Sequence, residues 1–437
     1  MLLYCYPANI YFGVKILEES IVLKNGIPIY FYPNKHLHGF CLCLYIKAGA
    51  MYETDELNGS THIWEHMLFR KLNRIYQGDF YKMLDMLGLS FSASTYKEFV
   101  SVRITGAAEY FDEAVKILPL VFEPHNLTLG EINLEKKRIK SEKREGAEDS
   151  SLDRFTQKII WANTSLANSI IGNNKIIDRL GVRALRDVHD QICSLGNMFF
   201  YITGCFSQEG ILLLSKYVES YRFSENEIHQ NIAPVPEKFF KRNGQIEIKN
   251  NYYDYIRFSF DIDITKYSYA ELDLLFDILF SGDNSKIFIE LSENTGYIYD
   301  FDARLERYLN LGSLYFSFEI SKKNILPAIK KVIDVLRGLK TYITDELSCV
   351  LPQYVDNAEL DLDNNERLNW NMAYECHIMQ NTYKSIEEKK NEYIRVTPTR
   401  IMEIAKEIFT QNNMVITLKT NKRVFKLEEA YAITKKL

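Results

Sequence analysis

The sequence predicts an α+β protein made of two tandem homologous domains, each a mostly antiparallel sheet covered by helices. Three observations carry that expectation. A chain of 437 residues exceeds what one hydrophobic core organises, so more than one domain is expected. Both halves mix strands of period two with helices of period 3.6. A faint repeat also relates the halves: residues 185–198 and 401–414 share a helical pattern and a closing Asn-Met at an offset of 216. Gly59 and Gly282, at a similar offset, form a second matched pair. The expected boundaries are 1–222 for the first domain, 223–240 for a linker and 241–437 for the second domain.

The first domain centres on one helix. In Gly59-Ser60-Thr61-His62-Ile63-Trp64-Glu65-His66-Met67-Leu68-Phe69, apolar side chains are interspersed with polar ones as on a helix. Positions four apart stack on one helical face, so His62 and His66 project side by side. Glu65 lies on the flank of that face. Histidine is scarce, eight in the whole chain, so this pair with a Glu in the fourth slot is a specific signal. Two imidazoles one turn apart can hold Zn²⁺ at about 2 Å each, with a carboxylate alongside to take a proton from water. The order H-x-x-E-H is the inverzincin signature. Such a site needs a third protein ligand. A charged helix over residues 131–148 offers Glu135 and Glu142, seven apart and therefore on one face. Spacing alone leaves both open, and most charges of that helix are expected to be solvated i,i+4 pairs.

The other elements follow in order. Residues 79–88 read as a short helix, with Asp79 capping its start and Gly88 its end. Residues 91–95 and 98–105 read as strands, the second alternating Val100, Val102 and Ile104. Residues 108–121 form an amphipathic helix over the sheet. From residue 155 the pattern is helical, then a strand covers 199–203. Residues 221–240 are polar and carry Pro234 and Pro236, which suits the linker. Beyond it, Ile256, Phe258, Phe260, Ile262 and Ile264 alternate with Arg257, Ser259, Asp261 and Asp263, a half-buried strand by period two. Helices over 269–280 and 286–291, a strand through Leu314, Phe316, Phe318 and Ile320, and a helix over 325–336 complete the second domain.

Composition excludes several classes. Net charge is −5 and no basic stripe appears, which argues against nucleic acid. Apolar content of 46% is ample for burial, and the 29 Tyr and 26 Phe lie in strand-like runs that suit core packing. The seven cysteines are scattered with no C-x-x-C, which fits a reducing cytoplasm, and Cys41 and Cys43 read as a small apolar pair on a strand. The first twelve residues lack a basic n-region and a long apolar core, so no signal peptide is expected. No apolar run reaches the length of a membrane helix.

The region from Ile21 to Glu142 resembles the N-terminal domain of the M16 peptidases. The family's opening pair of strands about an Asn-Gly turn is matched by Val22-Leu23-Lys24-Asn25-Gly26-Ile27-Pro28-Ile29. Its strand ending in small residues and Tyr-Glu is matched by Tyr45-Ile46-Lys47-Ala48-Gly49-Ala50-Met51-Tyr52-Glu53. Glu142 lies 76 residues beyond His66 and Glu135 seven before Glu142, and both spacings are the family's. The resemblance implies Glu142 as third zinc ligand, Glu65 as general base and Glu135 as a supporting carboxylate. It implies that the strand at 91–95 is an exposed edge taking the substrate as an added strand. Ser92-Ala93 stand there where the family has Asn-Ala, a change the main-chain role survives. Two domains per chain, with no metal triad in the second, is likewise the family arrangement.

One departure bears on partners. Many family members carry L-R-x-x-x-G-x-x-Y, an Arg-Tyr pair that orients substrate and stabilises the oxyanion. Here the segment is Leu291-Ser292-Glu293-Asn294-Thr295-Gly296-Tyr297-Ile298-Tyr299, with Tyr299 kept and Ser292 in the Arg position. Read alone, Tyr299 is a strand aromatic. An intact metal set with a lost Arg resembles the metal-bearing half of a heterodimer, a homodimer being the alternative. The expected function is zinc-dependent cleavage of unfolded peptides, with trimming of leader segments as one form. The rival classes are a non-catalytic M16-like scaffold or binding subunit and a metal hydrolase of another substrate.

Overall fold

The computed structural model describes residues 18–124, 126–147, 151–223, 245–251, 253–308, 311–343, 345–421 and 426–437. These fall into two units. The first holds the described residues of Met1–Glu148, Asn163–Pro234 and Leu360–Tyr383, and the second those of Asp149–Ala162, Val235–Glu359 and Lys384–Leu437. The expected linker lies almost wholly outside the described residues. Each unit takes in one segment from beyond the expected boundary, and the two faces of a sheet are the reason.

The first unit is built on β1 (Glu19–Val22), β2 (Pro28–Pro33), β3 (Gly39–Ile46), β4 (Ser90–Thr95), β5 (Val100–Ala107) and β6 (Met198–Gly204). Their order in the sheet is β1-β2-β6-β3-β5-β4, so among the described residues β4 is an edge strand with one side unpaired. Only β2 and β6 run parallel. One face of the sheet, through Leu42, Leu44, Val102, Ile104 and Phe200, packs on Trp64, Leu68 and Leu72 of α1 (Ser60–Ile75). The opposite face is aromatic, with Tyr32, Tyr45, Phe199 and Tyr201 covered by Leu368, Met372, Ala373 and Ile378. The buried Asn369 amide donates to the Cys41 and Tyr201 carbonyls at 3.2 and 2.9 Å and accepts from the Tyr45 hydroxyl at 2.9 Å. Cys41 and Cys43 are buried, the expected small apolar pair.

The second unit repeats this plan. It comprises β7 (Ile246–Asn250), β8 (Tyr255–Ile262), β9 (Asp302–Arg307), β10 (Gly312–Glu319) and β11 (Met414–Thr420) in the order β7-β11-β8-β10-β9. Replacing β2, β6, β3, β5 and β4 by these five reproduces every pairing direction, including the single parallel pair. The repeated Asn-Met is part of the match. Asn197 and Asn413 each cap the helix before the last strand, donating to Gln191 O at 3.3 Å and to Ile408 O at 2.9 Å.

Several expectations are corrected. Gly282 follows the helix Tyr269–Phe280, so its counterpart is Gly78 after α1, and Ser268 occupies the place of Gly59. β8 is buried on both faces, with Arg257 1% exposed. The helix α5 (Leu152–Ile160) covers its polar side, where Asp153 pairs with Arg257 and Thr156 meets Thr417 at 2.6 Å. Alternating polarity does not reveal a face covered by a distant segment. Asp79 makes no side-chain cap on α2 (Phe80–Leu87), whereas Gly88 ends it at φ +60° as expected. Residues 108–121 form only a short α-helix, α3 (Phe111–Ile117), between 3₁₀ turns. Pro119 lies in the second of those turns and lacks the N–H that would continue the α-helix. No described helix is long and apolar enough to cross a membrane.

α1 is capped from outside. Its N-cap, Gly59, sits at φ +98° and has no side chain to offer. Glu53 takes that role, accepting the N–H of Gly59 at 2.7 Å, the N–H of Thr61 at 2.8 Å and the Asn58 amide at 3.0 Å. A carboxylate there also complements the helix dipole. Gly59 is required because a Cβ would lie 2.8 Å from the Cα of Gly172. Further along, the buried Lys71 ammonium donates to the Val121 and Glu123 carbonyls at 2.8 and 2.7 Å. Burial lowers the Lys71 amine from 10.5 to about 7.

Glu53→Ala should destabilise the protein by roughly 1–3 kcal/mol, seen as a lower midpoint in urea unfolding. Lys71 sets a pH dependence. The unfolded chain holds this proton up to its ordinary value while the folded chain releases it near 7. Stability should therefore rise with pH from about 7 towards 10 and be lost as pH falls through the folded value. Denaturant midpoints at about pH 7 and pH 9 check this, and Lys71→Met should flatten the slope.

Candidate metal centre

Two helices make the site. α1 brings His62 and His66, whose ring centroids lie 4.7 Å apart. The second is α4 (Leu129–Glu145), which starts two residues earlier than expected because Thr128 and Glu131 form a capping box. Ile63 and Met67 of α1 pack with Ile132 and Ile139 of α4 in one buried cluster. Ile63 and Met67 directly follow His62 and His66, and Ile132 and Ile139 each lie three residues, about one helical turn, before Glu135 and Glu142. Burying that seam turns His62 and His66 towards Glu135 and Glu142.

The donor atoms converge. His66 Nε2 is 3.2 Å from Glu142 Oε2, and His62 Nε2 is 3.7 Å from Glu142 Oε1. Donors about 2 Å from one ion stand roughly 3.3 Å from each other, so the set fits a shared cation. The protonation states fit as well. His66 Nδ1 lies 3.3 Å from Glu135 Oε2, a contact that keeps the proton on Nδ1 and the lone pair on Nε2. Burial, and after it the neighbouring His66 ring, lowers His62 to about 3 and keeps it neutral. Two nitrogens and one carboxylate oxygen form a ligand set typical of catalytic zinc, with a fourth position left open. Among the described residues this is the one group of side chains so arranged, and the second unit has none.

Glu135 is fully buried. Burial raises its carboxyl, but the bonds to His66 and Arg70 and the charges of Arg138 and Arg70 outweigh that and hold it low. Arg70 Nε donates to Oε1 at 2.6 Å. Glu65 is also buried, which raises its carboxyl, and a hydrogen bond from the Thr95 hydroxyl to Oε2 at 2.6 Å works against that shift. His66 and Glu142 act on Glu65 electrostatically, so it borders the metal group. Thr95 ends β4, the free edge that carries Ser92 and Ala93. The Ser92 hydroxyl accepts from Arg103 Nε at 3.3 Å.

Tyr299 belongs to the second unit. It lies in an irregular stretch before β9 and is 95% exposed, not the strand aromatic that its sequence alone suggests. Three contributors were not legible in advance. Arg70 has a signal, since it lies four residues after His66 on the same helical face. Glu53 lies in the Tyr-Glu pair of the motif but its capping role has no local period, and Thr95 has no signal, because it meets α1 only through the tertiary fold.

Comparisons with known proteins identify the family. Residues 34–174 match the family model "Insulinase (Peptidase family M16)" and residues 179–347 match "Peptidase M16 inactive domain". The chain is 21% identical over 395 residues to an uncharacterized zinc protease of Bacillus subtilis, covering 89% of this chain and 95% of that one. It is 28% identical over 170 residues to the mouse mitochondrial-processing peptidase subunit beta, covering 38% of this chain and 34% of that one. A protease from Helicobacter pylori superposes with a TM-score of 0.82 at 17% identity, over 93% of this chain and 99% of that one. With both domain models matched in order across most of its length, the chain belongs to the M16 peptidase family.

Proposed function

We propose that this chain is a zinc-dependent endopeptidase that cleaves unfolded peptides as the metal-bearing half of a heterodimer. The observation that carries the reading is the convergence of His62, His66 and Glu142 beside the buried carboxylate of Glu65. Zn²⁺ held by those three residues would supply a Lewis acid that polarises the scissile carbonyl and lowers the pKa of water to about 7. Glu65 accepts the proton of the attacking water and delivers it to the leaving amine. Glu135 holds the His66 ring in the tautomer that presents Nε2. The peptide lies extended along the free edge of β4, bonded to the main chain at Ser92 and Ala93. That pairing reads backbone, not side chains, which favours unfolded substrates and suits peptide processing, including leader removal. The likeness to a mitochondrial-processing peptidase subunit supports processing over general degradation.

The partner follows from the second unit. Ser292, in a turn within Ile289–Glu293, offers no guanidinium for an oxyanion, while Tyr299 is exposed and available. A second M16-like chain would bring the missing Arg-Tyr pair. Cys41, Cys43, Cys193, Cys205 and Cys349 are thiols outside any disulfide, which supports the cytoplasm as the compartment.

Two measurements test this. In the complex purified from its host, Glu65→Gln should keep zinc and lose at least about 100-fold in kcat. His66→Ala should lose both zinc and activity. Metal analysis and hydrolysis of unstructured peptides read the outcome, and wild-type turnover by Glu65→Gln would remove Glu65 from the mechanism. Native mass spectrometry should find this 51.2 kDa chain with a different chain of similar size and one zinc. A fully active homodimer would refute the partner assignment.

A further inference from the structure

We infer that Thr95 is a positioning residue for Glu65: its hydroxyl aims the base carboxylate, and it does so from the strand on which the substrate pairs. This inference rests on the peptidase reading above. The hydroxyl donates to Glu65 Oε2 at 2.6 Å; the Thr95 main chain also bonds Glu65, a contact that Thr95→Val and Thr95→Ser both keep. Glu65 is 9% exposed, so its orientation must be set by protein groups and not by bulk water.

The position of Thr95 is fixed on several sides. Its backbone registers with Val100 of β5. The next two residues are gripped by the turn leading to α1. Ala50 N–H donates to Tyr96 O at 3.4 Å and Met51 N–H to Lys97 O at 2.9 Å. The approach is so close that a Cβ at Gly49 would lie 2.5 Å from Tyr96 O. Threonine is β-branched and stiff at χ1, so a fixed backbone fixes the direction of the hydroxyl. The base is therefore held by the edge strand as well as by its own helix. A peptide that extends the sheet at β4 stiffens the strand carrying the donor, which ties substrate pairing to the aim of the base.

A purely structural role for Thr95 would make a different prediction. Main-chain pairing along β4 uses N–H and C=O groups, which the hydroxyl does not supply. Loss of the hydroxyl should thus leave KM within about twofold while the misdirected carboxylate lowers kcat by roughly 10- to 100-fold. The experiment compares Thr95→Val, of the same shape, with Thr95→Ser, which keeps the hydroxyl. Both are assayed in the intact complex with kcat, KM, zinc content and melting temperature measured together. The expected result is a low kcat for Thr95→Val with unchanged KM and zinc, and recovery to within about threefold in Thr95→Ser. Wild-type kcat in Thr95→Val would overturn the inference, and so would equal losses in both variants that track the melting temperature. If the wild-type complex holds zinc and cleaves no peptide, the peptidase reading itself fails and this inference falls with it. An active wild type beside an equally active Thr95→Val would defeat this inference alone.

Discussion

The contact between α1 and α4 is what the rest of the site depends on. Ile63 and Met67 bury against Ile132 and Ile139, and that seam decides which polar faces meet. The cost falls on Glu135, a carboxylate with no access to solvent. An unpaired buried carboxylate would be strongly destabilising, but His66 and Arg70 bond both its oxygens. The apolar seam brings the helices together, and the buried acid then fixes their rotation and the histidine tautomer at once.

Duplication shows what this arrangement demands. The two sheets share strand order and direction, yet the helices following β3 and β8 begin differently. The helix Tyr269–Phe280 is capped by its own Ser268 and Glu271, as an unconstrained helix can be. α1 gives up self-capping, because Gly59 must pass close to Gly172, and draws its cap from Glu53. The helix without histidines follows ordinary helix rules. The helix that carries His62 and His66 departs from them where its N-terminus is locked to a neighbouring loop.

Much of this was legible in the sequence. The period of β5 and β10, the His62-Glu65-His66 spacing and the Asn-Met repeat are local signals, and the fold carries each of them. Glu135 and Glu142 share a helical face and spacing treats them alike, so the expectation that Glu142 is the ligand and Glu135 the support came from the resemblance. What escaped was tertiary. β8 looked half-exposed because α5, about a hundred residues earlier, covers Arg257. The roles of Thr95 and Glu53 escaped because a hydrogen bond across 30 residues, or from an extended residue to a helix start, leaves no period behind.

The segments that cover the two sheets have a bearing on synthesis. The aromatic face of the first sheet, with Tyr32, Tyr45, Phe199 and Tyr201, is closed by side chains between residues 360 and 383. A ribosome finishes β6 well before it reaches that segment. At about 5–20 residues per second, the nascent chain carries an uncovered aromatic sheet for on the order of ten seconds or more. The N-terminal half is therefore not an autonomous folding unit on the ribosome. Its most vulnerable moment comes after its sheet is complete, when a chaperone would find four aromatic rings waiting for a helix not yet translated.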